Sequence, residues 1–264
     1  MKILKPIKIR ATTLSDAWFQ TLYKCIEEGK EFIIDRGSFQ GLKRLEYDFV
    51  TIHITHPDVL PLLPKINPLL NIPDPVEETY LNDYLPYFMT GEEKDGESYT
   101  YGQRICHCSI TENILEAFFY DNIFYKYILE RGIIFKEKNN TFLNQMELMI
   151  WLYKNKGYRN NQMCLQIAQP SDMLLHDPPC LRHIDTRVQD GKLHFFPYFR
   201  SWDLYGGFPA NLAAIELMKQ YCASEIGVEN GEIIATSKGL HLYSYVFKIA
   251  EAIRGREIKE FLEV

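Results

Sequence analysis

Pro178-Pro179-Cys180-Leu181-Arg182 opens a stretch that continues through Asp190-Gly191-Lys192-Leu193 and Arg200-Ser201-Trp202-Asp203 to Gly206-Gly207-Phe208-Pro209-Ala210-Asn211. Residues 194–199 read as a strand. Residues 209–222 read as a long helix, in which Ala213 and Ala214 permit close packing. Thirty residues on, His241-Leu242-Tyr243 leads into a further helix over 243–254.

Upstream, residues 13–29 have apolar positions at helical spacing, with Thr13 or Ser15 as N-cap and Gly29 as stop. A short strand is expected at 31–34 and another at 47–54, where Val50, Ile52 and Ile54 alternate with Phe49, Thr51 and His53. The proline- and leucine-rich segment 56–76 reads as a wrapping loop, 77–89 as a helix and 91–98 as a charged loop. Residues 99–108 look like a strand entering a site, 142–156 an amphipathic helix ending at Gly157, and 162–168 a buried strand. No repeat or low-complexity tract interrupts this order. The expectation is one α+β domain over 1–264, a mixed β-sheet with packed helices.

The chain has 264 residues, 46% of them apolar, enough for a full core without staples. Its net charge of −6 offers no basic field for a nucleic acid polymer. An anionic ligand must be met by local arginines. No apolar run is long enough to span a bilayer, so no membrane partner is expected. The six cysteines are irregularly spaced, and the opening Met-Lys-Ile-Leu-Lys-Pro is too short and interrupted for a signal peptide. Reduced thiols in a cytoplasm are expected.

Cys180 is the strongest candidate nucleophile, with Arg182 and Arg200 near enough in sequence to favour a thiolate. A buried structural cysteine is the bland alternative. Arg200-Ser201 offers forked and hydroxyl donors to a phosphate, and Arg36 in the Asp35-Arg36-Gly37-Ser38 turn is a second phosphate candidate. Each could also be a solvated surface group. The Asn211 amide can pair with the N3–H and O4 edge of uracil, or it can cap a helix. His241 and Tyr243 at i, i+2 share one face of an extended segment, within reach of one ribose hydroxyl, or form a half-buried polar pair. Cys106-His107-Cys108 has the wrong gap for a zinc ligand pair and no second pair to join, so no metal is expected.

Taken together, the spacing of Cys180, Arg200-Ser201, Asp203, Gly207, Asn211, His241 and Tyr243 resembles that of the thymidylate synthase family, which includes nucleotide hydroxymethylases. The resemblance is strongest over 142–250 and extends in fragments to Arg36 and Tyr101-Gly102. It implies a thymidylate synthase-like sheet whose face serves for homodimerisation. It implies Cys180 as the nucleophile adding to C6 of a pyrimidine nucleoside monophosphate, and Tyr101 near C5. Arg36, Arg200 and Ser201 would hold the phosphate, Asn211 would read the base, and His241 and Tyr243 would hold the ribose. Asp203 and Gly207 would contact the pterin of 5,10-methylenetetrahydrofolate or a related pterin such as a methanopterin.

The chain departs from the family at several places. Leu181 follows the cysteine where histidine is common, a feature of archaeal-type members. Phe199 replaces a glutamine. Arg159-Asn160-Asn161 stands where paired arginines commonly reach across the dimer, so Arg159, Arg104 or Arg182 would substitute. The catalytic glutamate has only Glu77 or Glu78 as counterparts, and 111–138 looks like an insertion. The preferred expectation is a thymidylate synthase acting on dUMP. The alternatives are a 5-hydroxymethylase of dCMP, CMP or dUMP, and a nucleotide-binding regulator without turnover.

Overall fold

The structure, a computed structural model, describes residues 3–35, 39–111 and 122–255. Along the chain run β1 (Pro6–Ala11), α1 (Leu14–Glu28), β2 (Lys30–Ile33), β3 (Lys43–Glu46), β4 (Phe49–Ile54), α2 (Glu78–Met89), α3 (Tyr101–Cys106) and β5 (Cys108–Ile110). Next come α4 (Asn122–Arg131), β6 (Ile134–Glu137), β7 (Asn140–Leu143), α5 (Gln145–Lys156), β8 (Cys164–Gln166), β9 (Leu181–Gln189) and β10 (Lys192–Phe199). The last are β11 (Trp202–Asp203), α6 (Gly207–Ile226), β12 (Glu229–Ser237), β13 (Leu240–Tyr243) and α7 (Phe247–Arg254).

The main sheet is mixed, in the order β1-β4-β12-β10-β9-β8, with β1–β4 and β10–β12 parallel and the other pairs antiparallel. In β4 the expected alternation holds: Val50, Ile52 and Ile54 are buried, and Phe49, Thr51 and His53 are half-buried. Ile7, Ile9, Phe195, Ile233 and Ala235 extend the core, which α1 and α6 help to fill. The hairpin between β9 and β10 turns at Asp190 and Gly191, with φ of 52° and 73°. Two consecutive left-handed residues make the tight turn whose twist matches its strands, which is why Asp-Gly stands there.

A second sheet, β11-β13-β3-β2, stands beside the first, and a third, β5-β7-β6, is smaller. The Thr13 hydroxyl caps α1 by accepting the Asp16 N–H at 3.1 Å. Trp18 on α1 donates its indole N–H to the Leu204 carbonyl at 2.9 Å, tying α1 to the turn that starts α6. α6 is buried on nearly all sides, its few polar residues included.

Residues 99–108 form no continuous strand. Thr100 caps α3 by accepting the Gln103 N–H at 2.9 Å, and only Cys108–Ile110 pairs as a strand. A Cβ on Gly102 would lie 2.4 Å from the Tyr87 carbonyl oxygen and 2.2 Å from that of Thr90. The glycine therefore permits α2 and α3 to cross closely, a tertiary constraint that alternation cannot reveal. Of the stretch 111–138, residues 112–121 lie outside the described residues. The remainder supplies α4 and β6, which pairs with β7 beyond it, and Ile128 and Ile133 pack with Trp151 as a small separate core. Among the described residues no helix is long and apolar enough to cross a membrane.

Candidate functional site

Cys180 immediately precedes β9, and its carbonyl accepts the Arg200 N–H at 2.8 Å, so the β9–β10 pairing reaches the loop that carries the sulfur. Arg200 also donates from Nε to the Pro179 carbonyl at 3.1 Å and from Nη2 to the Pro178 carbonyl. Arg182 donates to Pro179 from the other side at 3.2 Å. Prolines carry no N–H, so in this loop the carbonyls are the backbone's handles.

Behind the loop lies a buried carboxylate, Asp172, only 1% exposed. It accepts from Arg104 Nη2 at 2.9 Å and from Arg182 Nη1 at 3.2 Å. Arg104 belongs to α3 and Arg182 to β9, so this charged bridge joins the two segments that carry Tyr101 and Cys180. Tyr101 Oη accepts the Leu181 N–H at 3.3 Å, which sets the phenol beside the residue that follows the cysteine. Burial lifts the Tyr101 pKa well above its ordinary value, and the neighbouring Cys180 adds to the rise. Burial likewise pushes the Cys180 thiol up; Arg200 and Arg182 pull it down, and Asp177 and Asp203 push it up again. The expected arginines are present and favour the thiolate, while dehydration is the larger effect and opposes them.

The second wall is the turn into α6. Asp203 accepts the N–H groups of Tyr205, Gly206 and Gly207 at 3.3, 3.0 and 2.9 Å. These donors lead into α6 and have no partner in its ladder. A Cβ at Gly207 would press on the Asp203 Cβ at 3.3 Å, so the glycine keeps this turn tight. One turn on, Asn211 lines a cleft of about 580 Å³ together with Asp203, Gly207, Glu77, Tyr80 and Tyr84. Trp202 Nε1 donates to Asn211 Oδ1 at 2.9 Å, and Asn211 Nδ2 donates to Tyr84 Oη at 2.6 Å. An indole N–H can only donate, so Trp202 fixes which end of the amide is oxygen. One amide hydrogen and one oxygen lone pair remain for a ligand.

β11 and β13 pair in parallel and place His241 opposite Asp203. His241 Nδ1 bonds the Gly239 carbonyl at 2.8 Å, so the neutral ring carries its proton there and presents Nε2 as an acceptor. Burial drives the His241 pKa down to about 4, against the pull of the Gly239 carbonyl. Nε2 is buried and has no partner among the described residues. The Tyr243 ring meets the imidazole edge-on at 4.6 Å, and burial raises its phenol to about 12. Tyr243 stands two residues after His241 on β13, on the same face of the strand.

Cys180, Tyr101, Arg200, Asp203, Asn211, His241 and Tyr243 thus gather around one region, with Ser201 between Arg200 and Trp202. Arg159 does not join them. It lines a separate cavity of about 250 Å³ with Asn160, Asn161, Arg187 and Gln189, at the end of β9 away from Cys180. Arg36 lies outside the described residues. Glu77 and Glu78 part company: Glu77 lines the Asn211 cleft, and Glu78 lies 3.3 Å from Lys65. Cys106 is buried and its sulfur contacts the Met89 carbonyl, while His107 packs on Phe135 and Phe142. Among the described residues no group of three His, Cys, Asp or Glu is placed to hold a metal.

Sequence reasoning missed Trp202, Tyr84 and Asp172. Trp202 sat inside the quoted motif, and its donor-only indole was the available signal. Tyr84 and Asp172 are 127 and 68 residues from their partners Asn211 and Arg104, and no local pattern links them.

The family model for thymidylate synthase matches residues 100–264. A Methanosarcina mazei protein named "Putative thymidylate synthase" is 26% identical over 245 residues, covering 93% of each chain. Proteins of the same name from Methanococcoides burtonii and Methanothermobacter thermautotrophicus are 25% and 26% identical. Those matches cover 94% and 93% of this chain, and 94% and 97% of the relatives.

Proposed function

The chain belongs to the thymidylate synthase family, and on that premise we propose that it transfers a one-carbon unit to C5 of dUMP through a covalent adduct at Cys180. The observation that carries this reading is the meeting of a nucleophile, an oriented amide and a neutral histidine acceptor around one region.

The Cys180 thiolate adds to C6, and the C5–C6 electron pair moves to O4 as an enolate. C5 becomes nucleophilic and bonds the one-carbon unit; C5 then loses its proton to a base as the folate nitrogen leaves, and a hydride from the folate reduces the resulting C5 methylene to methyl. The S–C6 bond then breaks, restoring both the ring and the thiolate. Covalent attack divides one hard step into easier ones. Asn211 donates Nδ2–H to O4, where charge develops, and accepts N3–H at Oδ1. A well-aimed donor of this kind contributes roughly 3 kcal/mol to the transition state. Tyr101, beside the cysteine, assists removal of the C5 proton. His241 Nε2 accepts a sugar hydroxyl proton and Tyr243 donates to the same oxygen. Ser201 and Arg200 are assigned to the phosphate side of the nucleotide, as the sequence also suggested for Arg36.

The co-substrate, 5,10-methylenetetrahydrofolate or a related pterin, supplies the one-carbon unit and, in a synthase, a hydride. The Asn211 cleft suits a flat, hydrogen-bonding heterocycle. Tyr80 and Tyr84 offer faces, and Asp203 retains an acceptor site beyond its three backbone donors. Glu77 stands in the same cleft as the candidate general base. We assign the outward face of the main sheet to a homodimer, with Arg159 brought to the partner's nucleotide, and a cytoplasmic setting. A 5-hydroxymethylase of dCMP, CMP or dUMP is the second reading. It rests on the departures from the family pattern at Phe199, Asn160 and Asn161.

Product analysis by mass spectrometry tests the assignment, with dUMP, dCMP, UMP and CMP offered together with methylenetetrahydrofolate. Thymidylate with equal dihydrofolate is the expected result. A 5-hydroxymethyl nucleotide without folate oxidation selects the second reading.

A further inference from the structure

The arginines that the sequence offered for the phosphate are largely engaged elsewhere. Arg200 donates from Nε and Nη2 to the Cys180 loop. Arg104 and Arg182 both turn to Asp172. Arg159 lies in a separate cavity with Arg187. A dianionic phosphate in a chain of net charge −6 needs another cation close at hand.

The register of the second sheet supplies one. His241 pairs with Glu46 and Tyr243 with Arg44, while Asp203 pairs with His241 on the other side. Directly paired residues share a face and bring their side chains close. Leu45 and Tyr47 are buried, and Tyr47 Oη bonds the Thr21 carbonyl of α1, so the alternate residues Arg44 and Glu46 face away from that helix. They share the face of His241, Tyr243 and Asp203. Arg44 lies close enough for its charge to act on both His241 and Tyr243.

Arg44 Nη2 lies 2.7 Å from Glu46 Oε2, an ion pair that holds the two side chains together. Its Nε is buried and has no hydrogen-bond partner among the described residues. Gly239 connects this pair to Ser201. A Cβ there would sit 3.6 Å from Ser201 Cα and 3.8 Å from the Glu46 carboxyl carbon. The absent side chain leaves Ser201 and the Arg44–Glu46 pair as neighbours.

We propose that Arg44, oriented by Glu46, is a phosphate ligand of the bound nucleotide, acting beside Ser201 within the same chain. It takes the place of the paired arginines that Asn160 and Asn161 do not supply. This rests on the nucleotide reading of the site.

Isothermal titration of the full chain with dUMP and with deoxyuridine, which lacks the phosphate, tests it. Arg44→Ala should weaken dUMP about 10- to 100-fold, the loss of one charge-assisted contact, and leave deoxyuridine unchanged. Arg44→Lys should recover part of the loss and guards against misfolding of the alanine variant. Undiminished dUMP binding by Arg44→Ala overturns the assignment, and so does an equal loss of dUMP and deoxyuridine. A wild-type protein that binds none of dUMP, UMP, dCMP or CMP overturns the nucleotide reading itself, and Arg44 with it.

Discussion

Two clusters of buried charge differ in what they hold. Arg104–Asp172–Arg182 bridges α3, the loop before Cys180 and β9, and it passes an Arg182 N–H on to the Pro179 carbonyl. Glu216–Lys219 is an i, i+3 pair inside α6, at 3.1 Å and wholly buried. Its outer bonds run from Asn230 Nδ2 to Glu216 at 2.7 Å and from Lys219 to the Gly231 carbonyl, both on β12. Burial pushes the Glu216 carboxyl up and the Lys219 amine down, and each charge opposes the shift in the other. Both clusters bear a dehydration cost. The first uses it to fix a reactive loop against a phenol, the second to fix a helix to a strand. Damage to one should appear in reactivity, and damage to the other in stability alone.

The largest effect is expected at the structural pair. Lys219→Met leaves the Glu216 carboxylate buried without its cation and should cost about 3–5 kcal/mol in urea unfolding. Turnover per folded molecule should hold. The double variant Glu216→Leu/Lys219→Met should recover most of the loss, since a matched apolar pair has no charge to dehydrate. A double variant no better than the single one would mean that the pair is not the source.

The site has its own buried titratable group in His241. Its folded pKa of about 4 lies below its ordinary 6.5, so between these values the unfolded chain binds the extra proton. Stability should therefore fall as the pH drops from 6.5 towards 4, by on the order of 3 kcal/mol, and be unaffected by this group above that window. Urea unfolding of His241→Gln should lack that part of the acid slope.

Asp172→Asn should cost roughly 1–3 kcal/mol of stability, because the buried Arg104 and the half-buried Arg182 lose their anion. It should also lower kcat, by about tenfold if the barrier rises 1.4 kcal/mol. Lys219→Met assayed below its unfolding transition should not share that loss. Equal kcat losses in both variants would erase the distinction between the clusters. The smallest effect belongs to Trp202→Phe. It removes the hydrogen bond that orients Asn211, worth about 1 kcal/mol, and should relax the choice of uracil over cytosine by roughly fivefold in kcat/KM.

Much of this was legible in the chain. The period of Val50, Ile52 and Ile54, the Thr13 cap and the small residues of α6 are local signals, and each became the expected element. Cys180, Asn211 and His241 stood out by residue type and spacing. Three features resisted. Residues 99–108 alternate like a strand, but Thr100 and the crossing at Gly102 make much of the segment helical. Arg44 drew no notice in the sequence, because its place opposite Tyr243 is set by strand pairing. Asp172 draws its meaning from arginines 68 residues before and 10 after it, and only folding joins them.

The central claim is that Cys180 activates C5 through a covalent bond to C6. Its most direct test is the release of deuterium from C5-deuterated dUMP into solvent in the presence of methylenetetrahydrofolate. Wild-type protein should release it in step with product, and Cys180→Ser, folded by circular dichroism, should release none. Release by Cys180→Ser at the wild-type rate, or product formed by the wild type with C5 deuterium retained, would contradict the account.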